Sequence, residues 1–169
     1  MQFAFYVSAA VAILATLMVV TRFEAVHALL YLVVSLLAVA TAFYTLGAPF
    51  AAALEVIIYA GAIVVLFVFV VMMLNLGGEA SAAERGLLSG AMWIGPSLLS
   101  LVLLVEVLHL IVHGAGAPRA VAEVPAREVG LALFGPYLVA VELGSMLLLA
   151  GLVGAYHFGR RADVDEEER

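Results

Sequence analysis

Three glutamates lie inside long apolar stretches of this 169-residue sequence: Glu55, Glu106 and Glu142. A charged side chain at the centre of a bilayer costs about 2.5–3.5 kcal/mol on insertion scales, so such residues usually face protein or a wet cavity and often carry protons. Alternatively, each acid simply reaches interfacial water, an interpretation that fits Glu106, near the end of its stretch, better than the other two. Glu55 and Glu142 are therefore our candidates for a proton path.

Glu55 opens the most distinctive segment of the sequence, residues 55–75. Tyr59 follows four residues later, would share a helix face with Glu55, and is a further candidate for the proton path or coupling. Gly61, between two alanines, offers a small surface that a neighbouring helix can approach closely. The surrounding valines and isoleucines are weaker helix formers, so a helix can bulge here. A plain packing contact at Gly61 remains the alternative. The candidates for helix deformation or a gate are Gly61, Val64, Val65 and Phe67.

Composition predicts a membrane protein. Hydrophobic residues make up 66% of the chain and charged residues 12%, whereas a soluble domain is roughly 45–50% apolar and about 25% charged. A bilayer core needs about 20 apolar residues as helix, and continuous apolar runs favour helices over a β-barrel. We predict an all-α integral membrane protein of five transmembrane helices, spans one to five, over residues 3–20, 28–46, 50–74, 87–112 and 129–158.

Turn residues and charges predict the organisation of the chain. Asn75 and Gly77-Gly78 should end span three, and Gly135-Pro136 is a kink in span five or its true start. We expect one domain over residues 1–160 and a disordered acidic tail over residues 161–169. The positive-inside rule predicts a cytoplasmic C-terminus and an outer N-terminus. Arg22, Arg85, Arg160, Arg161 and Arg169 fall on one side, Arg119 and Arg127 on the other.

Several kinds of site are excluded or not expected. The absence of cysteine excludes disulfides and thiolate-bound clusters. His109 and His113 are four residues apart, but the sequence offers no matching third ligand, so we expect no metal. There is no nucleotide-binding fingerprint and no basic patch for nucleic acid. We therefore expect no cofactor in this chain.

The residues of span three resemble a known family. The run Glu55-Val56-Ile57-Ile58-Tyr59-Ala60-Gly61-Ala62-Ile63-Val64-Val65-Leu66-Phe67-Val68-Phe69-Val70-Val71-Met72-Met73-Leu74-Asn75-Leu76 is similar to the third span of the chain J family of respiratory complex I, the proton-pumping NADH–quinone oxidoreductase. The mitochondrial counterpart is NADH dehydrogenase subunit 6. Agreement extends to the opening span and to the segments 24–28, 134–138 and 142–149. Span four and the loop after it carry little of the likeness.

This resemblance implies a multi-pass subunit of the bacterial cytoplasmic membrane, partnered by lipid and by other membrane subunits of complex I. It implies that flavin, iron–sulfur clusters and quinone are held by other subunits, so the isolated chain should have no activity. It also implies that span three can carry a π-bulge near Tyr59 to Val65, whose rearrangement opens and closes a water path linking quinone reduction to proton translocation. Relatives of this enzyme accept electrons from other donors, between which this chain does not distinguish.

Two other functions remain open at this point. One is a small standalone transporter or channel, and the other is a passive membrane scaffold. Transporters often show inverted repeats, and no internal repeat is visible here. A scaffold variant in span three would lose assembly, whereas a coupling variant would assemble and pump poorly.

Overall fold

The computed structural model describes residues 2–74, 90–114 and 122–167. The chain falls into two units, Met1–Pro125 and Ala126–Arg169, each considered by itself below. All regular elements in the described residues are helical. Unit 1 contains α1 (Gln2–Thr21), α2 (Ala25–Thr45), α3 (Pro49–Leu54), a π-helix (Glu55–Ile63), α4 (Val64–Leu74) and α5 (Gly90–Gly114), and unit 2 contains α6 (Ala126–Leu133) and α7 (Leu138–Glu167).

Five helical stretches in the described residues are long and apolar enough to cross a membrane, which confirms the predicted number of spans. Each has at least 20 residues and so reaches roughly the 30 Å of a bilayer core. Spans one and two agree with the sequence prediction to within a few residues. The predicted stop at Asn75 and Gly77-Gly78, and the predicted start of span four at residue 87, lie outside the described residues.

The turn between α2 and α3 is built by Gly47 and Pro49. Gly47 has a φ of 83°, in the left-handed region that glycine adopts without steric cost. Pro49 occupies the first turn of α3, where its missing N–H is not needed. The Val124 amide donates a hydrogen bond to the Gly47 carbonyl at 2.9 Å and so ties residue 124 to this turn.

The core of unit 1 lies where α1, α2 and α5 meet. Small residues let helix backbones approach closely, and Ala15 and Ala38 are both fully buried. Hydrogen bonds add to this packing, because the hydroxyls of Thr16 and Ser35 lie 2.8 Å apart between α1 and α2. The buried hydrophobic cluster consists of Val11, Ala15, Val34, Ala38 and Leu103.

A second close approach joins α2 to α5. Tyr31 is 4% exposed, and a Cβ added at Gly95 would overlap its hydroxyl. The guanidinium group of Arg22 lies over the ring of Tyr31, 5.6 Å from its centre. Only glycine fits at position 95 without displacing the tyrosine.

In unit 2, span five begins later than predicted. Residues 126–133 form the separate helix α6, and α7 begins at Leu138 rather than at residue 129. Pro136 has no amide donor to continue α6, and Gly135 fits this break because a Cβ there would lie 2.6 Å from the Leu131 carbonyl oxygen. Gly135-Pro136 is therefore the true start of span five and not a kink within it. The helix continues through Glu167; the predicted domain boundary at residue 160 and the disorder beyond it stay predictions.

Candidate functional site

Span three is one continuous helix whose hydrogen-bond pattern changes twice. It starts as α-helix at Pro49, becomes a nine-residue π-helix over Glu55–Ile63, and returns to α-helix at Val64. Backbone angles on both sides are helical, with φ −64° and ψ −39° at Leu54 and φ −64° and ψ −40° at Val64. A π-helix is closed by i→i+5 hydrogen bonds, is rare, and is frequently found at functional sites. The predicted deformation of the third helix is confirmed, although the π-helix starts four residues before Tyr59 and ends at Ile63.

Glu55 and Tyr59 both lie within the π-helix, about one turn apart. Glu55 is partly buried and Tyr59 is 51% exposed. The structure thus places a carboxyl group and a phenol on the deformed turn itself. Both are side chains that can exchange protons, and their part in a proton path stays a prediction.

Gly61 is positioned by the π-helix in a way that disfavours any side chain. A Cβ added there would lie 3.2 Å from the Val56 carbonyl oxygen, five residues earlier. That distance is shorter than an ordinary carbon–oxygen contact, so a side chain at position 61 would require the Val56 carbonyl to shift by a few tenths of an ångström. Glycine fits the π-helix at this position without that shift.

The remaining candidates in span three lie in α4, immediately after the π-helix. Val64 is 3% exposed, in contrast to Val65 at 64% and Phe67 at 50%. α4 packs against α2, and it begins at the buried Val64. Val65 and Phe67 lie on the surface of this chain.

Glu142 lies in the first turns of α7, in unit 2. Its side chain is exposed, and its backbone carbonyl accepts a hydrogen bond from the Ser145 hydroxyl at 2.7 Å. Its role in a proton path stays a prediction, and it requires shelter from lipid that α6 and α7 do not provide.

Glu106 is the polar residue whose position the sequence did not reveal. It is 9% exposed, and its Oε1 atom accepts a hydrogen bond of 2.7 Å from the Ser8 hydroxyl on α1. The interpretation that Glu106 reaches interfacial water is therefore wrong for this structure. The signal in the sequence was a serine in the uncharged first span, which could donate a hydrogen bond to an acid. The two partners are 98 residues apart, so the sequence does not show that they meet.

The two histidines of α5 do not form a metal centre with other described residues. The rings of His109 and His113 stack with their centres 4.4 Å apart. In the part of the chain that the structure describes, no third His, Cys, Asp or Glu joins them in a metal-binding group.

Comparison with known proteins identifies the family. A family model described as NADH-ubiquinone/plastoquinone oxidoreductase chain 6 matches residues 15–158. The chain belongs to this family. Relatives named NADH-quinone oxidoreductase subunit J match it over nearly their full length, and the resemblance found in span three is thereby confirmed.

Three of these relatives illustrate the range of similarity. The Pseudomonas aeruginosa protein is 59% identical over 162 residues, which cover 95% of this chain and 98% of the relative. The Escherichia coli K12 protein is 55% identical over 166 residues, covering 98% of this chain and 90% of the relative. The protein of Buchnera aphidicola from Schizaphis graminum is 48% identical over 160 residues, covering 95% and 98%.

Proposed function

We propose that this chain is a membrane subunit of a bacterial NADH–quinone oxidoreductase, in which the π-helix of span three helps couple quinone reduction to proton translocation. Membership of the chain 6 family and the names of its relatives support the assignment to this enzyme. The observation that carries the coupling role is the nine-residue π-helix containing Glu55, Tyr59 and Gly61. No observation favours a standalone transporter or a passive scaffold.

The coupling device is a change between π-helix and α-helix. Gaining or losing one residue in a helical turn rotates the following helix by about 100°. Such a rotation would move Val64 out of its buried position and replace it by a neighbour, while Val65 and Phe67 would turn with it. Bulky apolar side chains would then exclude water from the space beside the helix in one state and admit it in the other. Glu55 and Tyr59, on the turn that changes, would exchange protons with that water.

This chain contributes positioning and a proton path, and the redox chemistry belongs to its partners. The sequence has no cysteine for an iron–sulfur cluster, and no metal-binding group occurs in residues 2–74, 90–114 and 122–167. We assign flavin, iron–sulfur clusters and quinone to other subunits of the enzyme, as membership of the chain 6 family suggests. The partners are other membrane subunits of the same enzyme and the lipid bilayer.

We expect quinone reduction by NADH only in the assembled complex. An affinity tag on this chain should copurify further membrane subunits together with NADH–quinone activity, and the same chain purified alone in detergent should show none. NADH oxidation or quinone reduction by the isolated chain would contradict the assignment. A chain that copurifies only with copies of itself would instead favour the transporter.

The orientation in the membrane is a separate proposal, with the N-terminus outside and the C-terminus in the cytoplasm. It rests on the distribution of arginines and on the five spans, which place the two termini on opposite sides. A C-terminal fusion to a reporter that is active only in the cytoplasm should be active. Activity of a periplasm-specific reporter at the same position would reverse the topology.

A further inference from the structure

The contact between Ser8 and Glu106 lies within the membrane-spanning part of unit 1. Ser8 is six residues into α1, roughly 9 Å along its axis, and Glu106 is eight residues before the end of α5, roughly 12 Å. Ser8 is completely buried and Glu106 is 9% exposed. The carboxyl group is therefore enclosed between two helices and does not extend to the membrane surface.

Only one of the two carboxyl oxygens of Glu106 has a partner. Oε1 accepts the hydrogen bond from Ser8, whereas Oε2 is buried and has no hydrogen-bond partner. A buried carboxylate is stable only when it is paired with a cation and its remaining lone pairs are satisfied. One neutral hydroxyl donor does not meet that requirement.

The helices packed around Glu106 supply no counter-charge. The sequences of α1, α2 and α5 contain neither arginine nor lysine. Besides Glu106, their titratable side chains are tyrosines and histidines. His109 and His113, on the same helix as Glu106, are exposed. The full set is Tyr6 on α1, His27, Tyr31 and Tyr44 on α2, and His109 and His113 on α5.

We propose that Ser8 and Glu106 form a proton-binding site inside unit 1, in which Glu106 is a neutral carboxylic acid. The Ser8 hydroxyl donates to Oε1, which acts as the carbonyl oxygen, and Oε2 carries the proton. In this arrangement no charge is buried, and only the O–H donor of Glu106 lacks a partner. A single water molecule would accept its hydrogen bond. The proposal goes beyond the role of span three, because Glu106 binds its proton whether or not the π-helix changes.

Residues close to Glu106 in the α5 sequence line an apolar cavity. The cavity has a volume of about 620 Å³ and lies between α2, the start of span three and α5. Its walls include Leu103, Val107 and Leu110, which surround Glu106 in the α5 sequence, and Val56 of the π-helix. No charged residue of the described chain lines it, so it supplies Glu106 with no counter-charge.

Infrared spectroscopy of the purified complex tests the site directly. At neutral pH, Glu106→Gln should remove one carbonyl-stretching band of a protonated carboxylic acid from the spectrum of the wild-type complex. Glu128→Gln is the matched control, because Glu128 is exposed in α6, and it should remove carboxylate bands instead. Loss of carboxylate bands in the Glu106 variant would overturn the proposal.

A second variant keeps the test decisive if Glu106→Gln does not assemble. Ser8→Ala retains the acid but removes the hydrogen bond to Oε1, so the same carboxylic-acid band should shift to higher wavenumber. An unchanged carboxylic-acid region in the assembled Ser8→Ala complex would contradict the proposal. Neither infrared measurement involves turnover. A negative result for Glu106 would therefore not contradict the coupling role of span three, and a negative result for span three would not contradict the proton-binding site.

Discussion

Replacing Gly61 with leucine should slow quinone reduction and lower the number of protons translocated per quinone, while the complex still assembles. The physical reason is the 3.2 Å separation between a Cβ at position 61 and the Val56 carbonyl in the π form. A side chain there requires the Val56 carbonyl to shift in the π form, and we expect this to move the balance towards the α-helix. If the substitution raises the free energy of the π form by about 1.4 kcal/mol relative to the α form, the ratio of the two populations changes about tenfold.

Gly61→Ala and Gly151→Ala provide the matched pair for this prediction. The alanine at position 61 should give a smaller effect in the same direction as leucine. A Cβ at position 151, in span five, has no atom of the described chain within 4 Å, so that variant should behave like wild type. Loss of the assembled complex in Gly61→Leu, with normal coupling in whatever assembles, would instead indicate a packing contact.

Replacing Glu55 or Glu142 with alanine should reduce proton translocation more than it reduces assembly. A carboxyl group in a membrane span is costly unless it faces protein or water, and both residues lie within predicted proton-carrying regions. Proton translocation per quinone reduced, measured in reconstituted vesicles, should fall for each variant. The loss will be partial where other carboxyl groups offer a bypass.

Glu24 supplies the control for these acid variants. It is exposed immediately before α2, and its side chain makes no capping hydrogen bond there. Glu24→Ala should therefore leave both assembly and proton translocation unchanged. A structure of the complex in which the side chains of Glu55 and Glu142 both point into lipid would end the proton-path assignment.

The sequence predicted those features of the fold that depend on local composition. Apolar length alone predicts spans one and two, because a helix must match the thickness of the bilayer. Gly61 among β-branched residues predicts that span three deforms, but not which turn takes the extra residue. Neighbouring turns can accommodate it, and the structure shows the π-helix ending just before the buried Val64. Burial depends on tertiary packing, which is not visible in the local sequence.

Glu106 shows why the candidate site could be predicted only in part. Position within a span suggested access to interfacial water, whereas its actual environment depends on which face of α5 packs against α1. Helix pairing across 98 residues is a tertiary property, and hydrophobic patterning does not encode it when nearly every face is apolar. Glu55, in contrast, could be placed on the same helical segment as Tyr59 and Gly61, because these residues are close in sequence.

The most direct test of the central claim is a pair of structures of the complex, one at rest and one during turnover with NADH and quinone. We predict that residues 55–63 keep i→i+5 hydrogen bonds in one state and form a regular α-helix in the other. The side chains from Val64 onward should then differ in rotation by about 100° between the two structures. If these residues have the same hydrogen-bond pattern and the same side-chain register in both states, span three is not the coupling element.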